Sequence, residues 1–298
     1  MIDNEAPAPA PEGRPWGVRT GLDLVEVRGP DAVAYLQGQL SQDVAGLAVG
    51  SWAPSLLLEP QGKVTAWMRV GRLVAGEAGD RLVLVADRGF GAQVEQRLRR
   101  FWLRTNATLE VRELVPTLAV REWPHGAALP EQRDGALVVP APWPGAAGFD
   151  LVGLGAEVPD GVTVLEGEAG RACLERARIL AGVPAMGSEL GPETIPAAAG
   201  VVEGAVDFAK GCYTGQELVA RVDSRGNRTP TRLVVLSGTA PAPEPGVELS
   251  HDGQPRATVT SAVADGDAWV GLGYLHRSIE TPAELDDHGE VVVAVDRP

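Results

Sequence analysis

The chain has 298 residues, 44% of them hydrophobic, enough to bury a sizeable core in two or three domains. Its formal charge of −14 excludes a broad electrostatic footprint on nucleic acid or an anionic membrane and leaves open only a local basic patch. No apolar run approaches the roughly 18 residues of a membrane span, and two cysteines make no disulfide framework, so a cytoplasmic protein with reduced thiols is expected.

Residues 1–14 carry proline at 7, 9 and 11 and no apolar signal region, and are expected to form a flexible tail. "GLDLVEVRG" (21–29) alternates as a strand, and "PDAVAYLQGQL" (30–40) spaces Val33, Leu36 and Leu40 as a helix. "SLLLEPQGKVTAWMRV" (55–70) reads as two strands around a Pro-Gln-Gly turn, followed by a strand at 81–87. The segment 89–104 places Phe90, Val94, Leu98 and Phe101 on one helical face. From 109 to 165 the pattern is strand-like and broken by Pro and Gly. A helix over 166–183 carries Cys173, Ala177 and Leu180 as its apolar stripe, with Arg171, Glu175 and Arg178 elsewhere on its surface. Cys173 is most simply a small core residue. After a loop at 184–200, residues beyond 228 break into short strands that predict a separate β-barrel domain.

The informative stretch is "KGCYTGQE" (210–217). Only Lys63 and Lys210 are lysines, against 24 arginines, and Lys210 stands two residues from Cys212. An ammonium is a compact, titratable charge and a guanidinium is not, so a lysine that survives such a bias draws attention to its neighbours. Thr214-Gly215-Gln216-Glu217 fits a capping box ahead of "LVARV". That arrangement puts Cys212 just before a helix N-terminus with Lys210 nearby, and both effects favour the thiolate. The alternative is a buried cysteine ahead of an ordinary helix. His125, His251, His276 and His288 lie far from either cysteine in sequence, with no metal-ligand spacing, and no phosphate-binding glycine loop is present.

"KGCYTGQELVAR" resembles the signature of the YgfZ family of folate-binding proteins, relatives of the glycine cleavage T-protein implicated in maintaining iron–sulfur enzymes. The resemblance extends through "YLQGQLSQDV" (35–44), "LLEPQGKV" (57–64), "RILAGVPAMGSEL" (178–190) and "GLGYLHR" (271–277), from about residue 16 to the end. It implies an α+β fold: a T-protein-like ring of two interleaved α+β subdomains (15–228) and a C-terminal β-barrel (229–298) around a folate channel. It further implies Cys212 as a functional thiol with Lys210 as its electrostatic partner. Gly211, Tyr213, Gly215, Gln216, Glu217 and Arg221, with Gln37 and Gln39 of the "YLQGQLSQD" motif, would line the cavity for tetrahydrofolate or a folate derivative. Partners would be folate and iron–sulfur client enzymes, with no direct nucleic acid and no membrane.

Two departures separate the chain from the transferases. Where T-proteins carry an Asp in the segment matching "GKVTAWM", this chain has Thr65, Ala66 and Trp67. Where they carry a pterin-holding Glu, it has Leu180. The leading expectation is therefore a folate-binding accessory protein for iron–sulfur clusters held by client enzymes. The rival is a folate-dependent one-carbon transferase or demethylase, and a third reading is a scaffold with a vestigial cavity. A tRNA-modifying role would need that local basic patch.

Overall fold

The computed structural model describes residues 11, 13–74, 79–130, 135–153, 157–239 and 241–298; the expected 1–14 tail falls almost wholly outside them. The elements up to the middle of the chain are β1 (Trp16–Gly29), α1 (Ala32–Gln39), β2 (Trp52–Leu58), β3 (Val64–Val74), β4 (Asp80–Ala86), α2 (Gly91–Arg99) and β5 (Thr108–Arg121). Then follow β6 (Leu137–Ala141), β7 (Gly148–Val152), β8 (Thr163–Leu165), α3 (Gly167–Leu180) and α4 (Gln216–Asp223). The last six strands are β9 (Thr231–Gly238), β10 (Glu248–His251), β11 (Gln254–Asp265), β12 (Ala268–His276), β13 (Ala283–Asp287) and β14 (Glu290–Val295). The chain divides into two compact units: Gly21–Pro116 with Ala185–Thr229, and the residues up to Thr20 with Thr117–Pro184 and Pro230–Pro298. Strands β1 and β5 each run from one unit into the other.

In the first unit β1, β4, β3 and β2 pair antiparallel in that order, with Val25 opposite Leu84, Leu84 opposite Val70 and Leu56 opposite Trp67. Alternation sends Ala66, Met68 and Val70 into one core with Val25, Val27, Leu82 and Leu84. Leu36 of α1, Leu40 just after it, and Val94 and Leu98 of α2 close that core, each fully buried and each worth about 1.5–3 kcal/mol relative to exposure. Phe90 holds the N-cap position of α2, and its side chain cannot cap the helix. The buried carboxylate of Asp23 does so instead, accepting the Gly89 and Gly91 amides at 2.9 Å each and the Leu114 amide at 2.9 Å.

Helix α2 stops at Arg99, so Phe101 lies beyond it and is 45% exposed rather than on the buried face. Trp102 takes the inward position, packed edge-on against Tyr35 at 4.5 Å between ring centres.

In the second unit β7 pairs with β6 and with Thr117–Val120 of β5, and β8 runs parallel to Trp16–Val18. Strands β9–β14 form a closed barrel in the order β10-β11-β12-β9-β14-β13, packed around Leu236, Trp269 and Leu275. Helix α3 lies on this barrel through Ile179, which joins Leu233, Val235 and Leu272. Its apolar stripe is also corrected: Cys173 and Ile179 are buried, whereas Leu180 is 38% exposed. Arg178 is buried, not on the surface, because Glu175 (2.6 and 2.9 Å), the Val183 carbonyl (2.6 Å) and Ser261 (2.9 Å) satisfy its guanidinium.

Candidate functional site

Three of the motifs meet within the first unit. The loop after α1 is stitched to residues 204–207: Ser41 Oγ donates to the Ala205 carbonyl (2.6 Å), Gln42 Nε2 to the Gly204 carbonyl (2.8 Å), and the Asp207 amide to the Ser41 carbonyl (3.0 Å). Asp207 then turns the chain by accepting the Ala209 (2.7 Å) and Lys210 (3.1 Å) amides. This aims Lys210 Nζ at the end of α1. There it donates to the carbonyls of Gln37 (2.7 Å), Leu40 (2.6 Å) and Gln42 (2.9 Å). A cation on the unpaired carbonyls at a helix C-terminus satisfies acceptors the helix cannot. Burial pulls the ammonium down from 10.5 to about 8, against the opposing charges of Asp43 and Asp207. All three Nζ protons are committed to these backbone carbonyls.

The capping box does not form. Gly215, with φ +85°, occupies the N-cap, and no side chain caps α4. The Thr214 amide donates instead to the Gly38 carbonyl (3.1 Å), and Gln216 Oε1 accepts the Tyr213 amide (3.1 Å). The N-cap is thus three residues beyond Cys212, one further than expected. Gly215 also abuts the β2–β3 turn. A Cβ on it would fall 2.6 Å from the Glu59 carbonyl, and one on Gly62 would fall 2.5 Å from Leu218 and 2.9 Å from the Gly215 carbonyl. Two motifs far apart in sequence therefore touch glycine on glycine.

The predicted residues divide into two sets. Lys210, Tyr213, Gly215 and Gln216 turn inward and hold the segment; burial of Tyr213 pushes its phenol up to about 12, and the Lys210 ammonium lies over its ring (5.1 Å to the centre). Gln37 is likewise engaged, donating to Asp43 (2.8 Å) and accepting the Ala45 amide (3.0 Å). Gln39 accepts from Arg97 at 3.4 Å. Gly211, Cys212, Glu217 and Arg221 are exposed. Glu217 and Arg221 stand one turn apart on α4 with neither side chain in an ion pair among the described residues, and no described atom lies within 4 Å of where a Gly211 side chain would begin.

No family model matches the chain. It is 30% identical over 277 residues to the tRNA-modifying protein YgfZ of Sodalis glossinidius, an alignment covering 83% of this chain and 80% of that protein. The chain belongs to the YgfZ family. The tRNA-modifying protein YgfZ of Klebsiella pneumoniae is 29% identical over 293 residues, covering 91% of this chain and 81% of that one. The glycine cleavage aminomethyltransferase T of Bartonella henselae superposes with a TM-score of 0.75 at 20% identity, covering 95% of this chain and 85% of that one, which fixes the T-protein-like α+β fold.

Within that YgfZ frame the segment 65–67 offers no carboxylate. Thr65 donates to Glu59 (3.2 Å), Ala66 lies in the core, and the Trp67 amide donates to Met186 Sδ (3.3 Å). Glu59 is itself held by Arg100 (3.0 Å) and Arg97 (3.8 Å). Sequence reasoning passed over Asp207 and Ser41, whose roles lie in backbone contacts that no motif announces. Among the described residues no three His, Cys, Asp or Glu side chains gather as metal ligands, and no helix is long and apolar enough to cross a membrane.

Proposed function

We propose that the chain is a folate-binding accessory protein that supports iron–sulfur enzymes of tRNA modification in the cytoplasm, presenting Cys212 as its functional thiol. The observation that carries this reading is the division of the 210–221 segment. Its inward residues fasten three motifs together, while Gly211, Cys212, Glu217 and Arg221 stay accessible. The donor set suits a reduced folate: Glu217 can accept from an amino-pyrimidinone edge, Arg221 can pair with a glutamate tail, and Gly211 leaves room for a flat ring. Bound folate would supply a one-carbon carrier. The name shared by the relatives supports tRNA modification as the pathway served.

Aminomethyl transfer is the weaker reading, because segment 65–67 supplies no carboxylate and the nearby Glu59 is already engaged by Arg97 and Arg100. The test is titration of the purified protein with tetrahydrofolate, followed by tryptophan fluorescence, with aminomethyl-transfer turnover assayed in parallel. Saturable binding without turnover, weakened by Glu217→Gln and by Arg221→Gln, is expected. Absence of binding, or turnover at transferase rates, overturns the reading.

A further inference from the structure

Helix α2 and the residues after it form a surface apart from the exposed 211–221 residues, touching the folate candidates only where Arg97 donates to Gln39 (3.4 Å). A cleft of about 480 Å³ is walled by Thr65, Gln93, Gln96, Arg97 and Arg100, with Glu59 at its side. Gln93 Nε2 donates to the Thr65 carbonyl (3.2 Å), which fixes that amide and leaves its oxygen as an acceptor; the Gln96 amide is exposed. Residues 99–104, "RRFWLR", continue from this wall with three arginines and no acidic residue in a chain of net charge −14. Arg99, Arg100, Phe101, Leu103 and Arg104 are all exposed, Leu103 to 83%; Arg99 pairs with Glu95 (2.7 Å) and Arg100 with Glu59 (3.0 Å), so a phosphate would have to displace these carboxylates, whereas Arg104 makes no such pair among the described residues. Arg97 is buried and lies over the Phe101 ring at 4.9 Å, its Nε and Nη2 donating to the Leu58 carbonyl at 3.0 and 2.7 Å. Phe101 is thus a ring backed by a fixed cation and 45% open to solvent.

We infer that this surface binds single-stranded RNA, taking one base into the cleft and its flanking phosphates onto Arg99, Arg100 and Arg104. The inference rests on the tRNA reading above and names the face that would meet the substrate nucleic acid. The volume suits a single nucleotide. Side-chain amides offer donors and acceptors to a base edge, and an aromatic ring beside guanidiniums is the stacking platform that unpaired bases use. An acidic protein partner would be served by the arginines, but it has no use for the cleft or the amides. The surrounding negative charge confines any RNA contact to this patch, so binding has to be steeply salt-dependent and sensitive to few residues.

The test is fluorescence anisotropy of the full chain with a labelled single-stranded RNA of about 12 nucleotides at about 50 and about 200 mM salt. Arg100→Gln with Arg104→Gln is expected to weaken binding about ten-fold at low salt and to flatten the salt slope by about 1.4. Phe101→Ala is expected to lose about ten-fold, with Phe101→Tyr restoring it, since a tyrosine ring stacks as well. Arg225→Gln with Arg228→Gln removes the same charge from the loop after α4 and is expected to change affinity less than about two-fold. Thermal unfolding of each variant controls for folding. Absence of RNA binding, equal losses from the two arginine pairs, or equally tight binding of a polyglutamate peptide would overturn the inference. None of these readouts involves folate, so the two proposals fail separately.

Discussion

The three protons of the Lys210 ammonium meet three carbonyl oxygens at 2.6–2.9 Å, all converging on one nitrogen. A guanidinium spreads its donors over a plane and cannot reproduce that convergence, so Lys210→Arg is expected to lower stability by about 2 kcal/mol in urea unfolding, nearly as much as Lys210→Met. The pH dependence has a defined sign. The folded value of about 8 lies below the unfolded 10.5, so between those limits the unfolded chain keeps a proton that the folded chain has shed. This group's contribution to stability therefore rises with pH across that window, and wild type should gain on Lys210→Met between pH 7 and 10. The cysteines differ as simply. Cys173 is buried, which pushes its thiol up, and Cys212 is exposed, so alkylation at neutral pH should label Cys212 many-fold faster. Equal rates would return Cys212 to a packing role. Composition alone drew attention to Lys210, but its partners were hidden because they are backbone carbonyls some 170 residues away, which no side-chain pattern encodes.

At the scale of elements, the S/T-x-x-E pattern ahead of α4 is present in sequence and absent in structure. The Thr214 amide is taken by Gly38, and a glycine at φ +85° occupies the cap. Thr214→Ala should then cost less than about 0.5 kcal/mol, where a capping threonine would cost about 1. Gly215→Ala should cost about 2–4 kcal/mol, combining a left-handed backbone with a Cβ 2.6 Å from the Glu59 carbonyl. Thermal or urea unfolding of both variants checks the contrast. The strands and helices themselves were legible because their periodicity records which side chains enter a core. Where they end was not: the apolar spacing runs on to Phe101, yet Trp102 claims the inward position against Tyr35 and the helix has already stopped. The family resemblance made the fold and the exposed thiol's motif readable; the cleft beside α2, assembled from Thr65, Gln93 and Arg100, has no linear signature.

For the whole molecule, the closed barrel packs against a helix that precedes it in sequence. Ile179 and Arg178 of α3 are seated on barrel residues Leu233, Leu272 and Ser261, and Arg176 pairs with Asp265 at 2.7 Å. Expressed alone, residues 230–298 should bind a hydrophobic dye and unfold at lower urea than the same strands in the full chain; a fragment of equal stability would show that α3 contributes nothing.

The repeated passage of the chain between its two units also sets an order of events during synthesis. Trp16–Val18 pairs with Thr163–Leu165, so this early strand segment waits for a neighbour made roughly 150 residues later, about 7–30 s at ribosomal speed. The unit that holds the 210–221 segment ends at Thr229, whereas the other still awaits the six barrel strands. Until Thr163–Leu165 and the Cys173 face of α3 are made, Trp16 and Val18 lack those apolar neighbours, a ready target for a chaperone and the point at which a stalled ribosome would release an aggregation-prone chain.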